Sequence, residues 1–61
     1  MKTRQFVKRL KAAGCRFVRH GGDHDIWYSP ITGRTDEVPR HGSHEVKKGL
    51  LKSLEKTLLG L

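Results

Sequence analysis

The stretch RHGGDHDIWYS, residues 19 to 29, sets a histidine behind two glycines and between two carboxylates. An imidazole titrates near neutral pH, so His24 can take or give a proton under ordinary conditions. Gly21 and Gly22 leave the backbone before it free of side chains, which lets a phosphate approach the N–H groups. Cleaving RNA needs little more than this. The 2′-hydroxyl must lose a proton, the phosphorane charge must be offset, and the leaving 5′-oxygen should gain a proton. His24 is the candidate general base, and Arg19, Arg40, Lys48 and Lys52 are the candidate phosphate ligands beside the two glycines. A plainer account also exists. Gly-Gly is a common way to give a hairpin its positive φ, and a histidine at the start of a strand is an ordinary surface residue.

Other chemistries fit less well. The histidines at 20, 24, 41 and 44, with Cys15 nearby, have a spacing that brings zinc to mind. A zinc site usually pairs cysteines, however, and there is no second one. Metal-dependent cleavage would need clustered carboxylates, and the six acids are scattered. No metal and no cofactor is expected. Cys15 reads as a small core residue at the start of a strand.

Thirteen Lys and Arg against six Asp and Glu give a formal net charge of +7 on 61 residues. Such a balance points to a polyanionic partner. The apolar residues are not gathered in one surface helix, so RNA is favoured over an anionic membrane. The N-terminal MKTRQFVKRLKAAG is charged throughout, unlike a signal peptide. No apolar run is long enough for a membrane span. The chain is expected to be a single cytoplasmic domain over residues 1–61. A domain this small buries only about 60% of the surface exposed by its unfolded chain, so its stability is marginal and its site shallow.

The elements that hold these residues follow from periodicity. Thr3 is the expected N-cap of a helix running to about Ala13, with Gly14 as its stop. Phe6, Val7, Leu10 and Ala13 form its apolar stripe, and Arg4, Lys8 and Lys11 a separate basic one. CRFVR predicts a strand over 15–19, residues 20–23 a turn, and HDIWYS a second strand. On that strand His24, Ile26 and Tyr28 share one face, and Asp25 and Trp27 the other. RTDEVP predicts a third strand ended by Pro39. A last helix is expected from about residue 46 to Leu59, stopping at Gly60, with Val46, Leu50, Leu54 and Leu58 buried and Leu51 and Leu61 beside them. Lys48, Lys52 and Lys56 should lie outside. The fold class is α+β in the order α-β-β-β-α: a three-stranded antiparallel sheet with two helices on one face. Small double-stranded-RNA-binding domains share this order.

Taken in order, these motifs resemble the HicA family of toxin ribonucleases from toxin–antitoxin pairs. The carrying residues are CRFVRHGG, the GDH step at 22–24 with aromatics after it, SPITGR, VPRH at 38–41, and the ending EVKKGLLKSLEKTLLGL. The resemblance covers nearly the whole chain. It implies a dsRNA-binding-domain-like fold, metal-independent endoribonuclease activity on mRNA, and neutralisation by a HicB-family antitoxin. It also implies that His24 is the catalytic residue, by its place in the step. Asp23 replaces the family's usual serine, and Asp25 stands where another histidine is common. A carboxylate beside His24 would raise its pKa and orient the ring. The rival function is a non-catalytic double-stranded-RNA-binding module; the GDH step favours the enzyme.

Overall fold

A computed structural model describes residues 1–40 and 42–61. The first helix, α1 (Thr3–Ala12), leads into three strands, β1 (Arg16–Gly21), β2 (His24–Tyr28) and β3 (Thr35–Pro39). The second helix, α2 (Lys48–Leu54), passes directly into a π-helical turn over Glu55–Leu59. The sheet is antiparallel in the order β1-β2-β3, so the α-β-β-β-α architecture expected from the sequence is the one observed.

Phe6 and Leu10 of α1, Cys15, Trp27, Val38, Val46, and Leu54 and Leu58 of the C-terminal helix form one buried cluster. Val7 and Ala13 pack partly buried against it, while Arg4, Lys8 and Lys11 are exposed. Trp27 and Val38 belong to the same sheet face, so both helices lie against that face. The other face, carrying Arg16, Arg19, His24, Ile26 and Tyr28, has no helix over it among the described residues. Trp27 therefore serves the core, 6% exposed, and does not stand with Tyr28 as an aromatic pair on the surface.

Four local features depart from the expected ones. The N-cap of α1 is Lys2, with Gln5 Oε1 accepting its N–H at 2.8 Å. Thr3 is the first helical residue and is buried, giving its N–H and Oγ1 to the His44 carbonyl at 2.9 and 3.2 Å. The loop after β3 runs across the start of α1, and pairing with that loop shifts the cap back by one residue. For the same reason α2 begins at Lys48 and not at 46: Val46 stays extended and donates its N–H to the Met1 carbonyl at 2.8 Å. Leu50 and Leu61 are exposed instead of buried. Leu50 lies in the first turn of the shortened helix and Leu61 beyond its end, and the core keeps Leu54 and Leu58. Finally, β1 carries a bulge between Phe17 and Arg19, which strict alternation could not reveal.

The C-terminal turn is closed by side chains from elsewhere. Ser29 Oγ donates to the Leu58 carbonyl at 2.5 Å, Cys15 Sγ to the same oxygen at 3.4 Å, and Thr32 Oγ1 to the Thr57 carbonyl. The last carbonyls of a helix have no partner within it. Here buried hydroxyl and thiol groups provide one, and Gly60 ends the helix at φ 72°.

Candidate active site

The β1–β2 hairpin turns on two residues, Gly22 and Asp23, because Gly21 pairs with His24 and His20 with Asp25. Gly22 has φ +63°, and among the described residues nothing beyond its chain neighbours lies within 4 Å of where its Cβ would be. A positive φ at the first of two loop residues is what a type II′ hairpin turn demands. The constraint at Gly21 is milder and of a different kind. A Cβ there would meet Ile26 Cδ1 and Cγ1 at 3.3 Å, so a side chain would crowd the face that carries His24.

His24 opens β2, exposed, on the uncovered face. Among the described residues its ring has no hydrogen-bond or ion-pair partner. Arg19 lies on the same face, opposite Ile26. Farther along it, the Arg16 guanidinium sits 5.2 Å from the centroid of the Tyr28 ring. Because of the bulge, Arg16 and Arg19 share a face although they are three residues apart.

The other face of the hairpin tip holds a cluster that sequence reasoning missed. His20 Nδ1 lies 2.7 Å from Asp25 Oδ1, and Arg40 Nε donates to the same oxygen at 3.2 Å. Arg40 also donates through Nη2 to the Gly22 carbonyl. An ionised carboxylate only accepts, so the proton in the first contact is on Nδ1. The expectation that a neighbouring carboxylate orients His24 is thereby corrected. Asp25 points to the opposite face and orients His20. The signal lay in the turn length: a four-residue turn over 20–23 hides the His20–Asp25 pair, and a two-residue turn makes them cross-strand neighbours.

The hydrogen bond from His20 holds the Asp25 carboxyl below its usual 3.8; partial burial opposes this, and Arg40 assists it. A depressed carboxylate stabilises the fold above its unfolded pKa, and that contribution is lost as pH falls through the lower folded value. Replacing His20 by alanine is expected to raise the Asp25 midpoint toward 3.8, as read by carboxyl NMR titration. A midpoint that stays put would show that the pair does not persist in solution.

The remaining predicted ligands, Lys48 and Lys52, lie on α2. His24 pairs with Pro39, and from Pro39 the chain runs back across the start of α1 to begin α2 at Lys48. Lys48 and Lys52 are exposed, one helical turn apart, in the helix layer. His41 lies outside the described residues. Cys15 is buried at the opposite end of β1 from the hairpin turn, bonded to Leu58, so it does not join His20 and His24. Among the described residues no three His, Cys, Asp or Glu come together as a metal site. No helix among them is long and apolar enough to cross a membrane.

The model of the HicA toxin of bacterial toxin–antitoxin systems matches residues 3–59. The chain is 36% identical over 58 residues to the "Probable mRNA interferase HicA" of Pseudomonas fluorescens (strain Pf0-1), covering 95% of this chain and 93% of that protein. No solved structure matches it significantly. With the match running from the first turn of α1 to the last residue of the π-helical turn, the chain belongs to the HicA toxin family of bacterial toxin–antitoxin systems.

Proposed function

We propose that this chain is an endoribonuclease that cleaves mRNA in the cytoplasm without a metal ion, with His24 as the general base on the ribose 2′-hydroxyl. The observation that carries this reading is the position of His24: exposed on the open sheet face, beside a glycine turn, in a chain of net charge +7. An unpaired imidazole there is free to meet a hydroxyl, and a shallow, uncovered face suits an extended polymer. Gly21 and Gly22 admit a phosphate to the backbone. Arg19 approaches from the same face, and Lys48 and Lys52 bind the strand farther on. Arg40 holds the turn and keeps one guanidinium edge for phosphate. The mRNA interferase name of the Pseudomonas relative supports the substrate class.

A HicB-family antitoxin is the proposed partner. It neutralises the toxin by covering the open face around His24 with an acidic surface, since complementary charge speeds capture. Tyr28, half-buried on that face beside Ile26, offers it an apolar contact.

The test is incubation of the pure protein with labelled RNA in EDTA, with binding followed across a salt series. Cleavage should persist in the chelator. If about four phosphates are neutralised, the affinity for single strands should fall with a slope near −3 in log K against log[salt]. Binding without cleavage under all conditions would favour a non-catalytic RNA-binding module, and binding indifferent to salt would remove the electrostatic basis of the reading.

A further inference from the structure

We propose that His20 is the general acid of this cleavage, donating its Nε2 proton to the leaving 5′-oxygen; the assignment rests on the nuclease reading above. A base alone leaves the second half of the reaction unassisted, because an alkoxide is a poor leaving group unless it is protonated. The hairpin tip offers one further exposed imidazole that is held in place. The His20 side chain is 68% exposed. Its Nδ1 is fixed on Asp25 at 2.7 Å, which leaves Nε2 as the nitrogen available to a ligand. The Phe17 ring, centroid to centroid at 4.9 Å, supports it from the other side.

The placement of the two imidazoles matches the stereochemistry of the reaction. His24 faces one side of the hairpin and His20 the other, with only Gly21, Gly22 and Asp23 between them. In an in-line displacement the attacking and leaving oxygens sit on opposite sides of phosphorus, so base and acid must approach from opposite directions. A phosphate lying against the side-chain-free glycine backbone at the hairpin edge is approached in that way. His24 removes the 2′-hydroxyl proton and the 2′-oxygen bonds to phosphorus. The bond from phosphorus to the 5′-oxygen breaks, its electron pair remaining on that oxygen, which takes the proton from His20. The products are a 2′,3′-cyclic phosphate and a free 5′-hydroxyl. His24 ends protonated and His20 neutral, and exchange with water resets both.

Asp25 and Arg40 are positioning residues in this scheme. Arg40 bonds both the carboxylate that holds His20 and the Gly22 carbonyl, so one guanidinium keeps the acid in register with the turn.

The experiment compares ordinary RNA with RNA carrying sulfur in place of the 5′-bridging oxygen at one cleaved linkage. A thiolate leaves without protonation, because thiols are far stronger acids than alcohols. His20→Ala should lose about 100-fold or more on ordinary RNA and come within a few-fold of wild type on the sulfur substrate. His20→Asn, which can still donate to Asp25 but has no Nε2 proton, should behave in the same way. Asp25→Asn should show a smaller loss that sulfur also rescues. His24→Ala should be impaired on both substrates. Equal losses for His20→Ala on the two RNAs, or no loss on either, overturn the acid assignment. If wild type cleaves neither RNA, the nuclease reading itself fails and the acid assignment with it. If His24→Ala stays fully active while His20→Ala is rescued by sulfur, the acid assignment stands and the base must be sought elsewhere.

Discussion

Replacing His24 by alanine is expected to reduce RNA cleavage by about 100-fold or more, the usual contribution of a positioned base, and to abolish growth inhibition on expression. Stability should change by no more than about 0.5 kcal/mol, the range for a surface residue away from special features. His24 is exposed at the start of β2 and bonds to no described side chain, so its truncation opens no cavity and orphans no partner. RNA affinity should hardly change, because the neighbouring cations and backbone remain. The necessary measurements are single-turnover cleavage rates, a thermal melt and a binding curve on the same preparation. An unfolded variant would show that His24 serves structure, and a fully active one that another group takes the proton.

A larger effect on the fold is expected from Trp27→Ala. Trp27 is 6% exposed, on the face of β2 that meets both helices, in one cluster with Phe6, Leu10, Leu54 and Leu58. Truncating a buried aromatic costs about 3–5 kcal/mol. At roughly 0.05–0.15 kcal/mol per residue, a domain of this length has about 3–9 kcal/mol in total. The loss is of the same order as the reserve, and the variant should be largely unfolded at 37 °C. Tyr28→Ala, on the opposite face beside Arg16, should lose clearly less, because its side chain is only half-buried. Urea titrations of the two variants decide the matter. Similar midpoints for both would mean that Trp27 is not a core residue.

These two aromatics show how far the sequence could be read. Period-two alternation already placed Asp25 and Trp27 on one face and His24, Ile26 and Tyr28 on the other. What it could not say was which face the helices would cover. That depends on Val38, Leu54 and Leu58 meeting Trp27 over long sequence separations. The stripe of α1, the Leu54 and Leu58 pair of the last helix, the glycine stops and the order of elements were legible because each depends on neighbours a few residues away. The N-cap of α1 and the start of α2 were not, since both are set by the pairing of residues 42–46 with the first residues of the chain. The bulge at Val18 likewise lies beyond alternation. It lets Cys15 and Phe17 share a face with His20, and Arg16 share one with Arg19, although simple parity would separate them. His24 could be singled out from its local setting. His20 could not, because its meaning depends on the hairpin register that brings Asp25 and Arg40 to it.

The hydroxyl and thiol groups that close the carbonyls of Thr57 and Leu58 affect more than the helix end. They tie the turn after β2, the start of β1 and the last helical turn into one buried knot, where local opening would have to break several bonds together. The hairpin tip at the other end of the sheet is braced beyond its backbone pairing by the contacts of Asp25 with His20 and Arg40, which water can replace one at a time. Local unfolding is least costly where buried contacts are fewest. Local opening is thus expected to cost less at the hairpin tip, which carries His24, than at the knot. A polymer of variable shape can then be accommodated by small rearrangements of the hairpin tip while the knot keeps the rest of the chain folded.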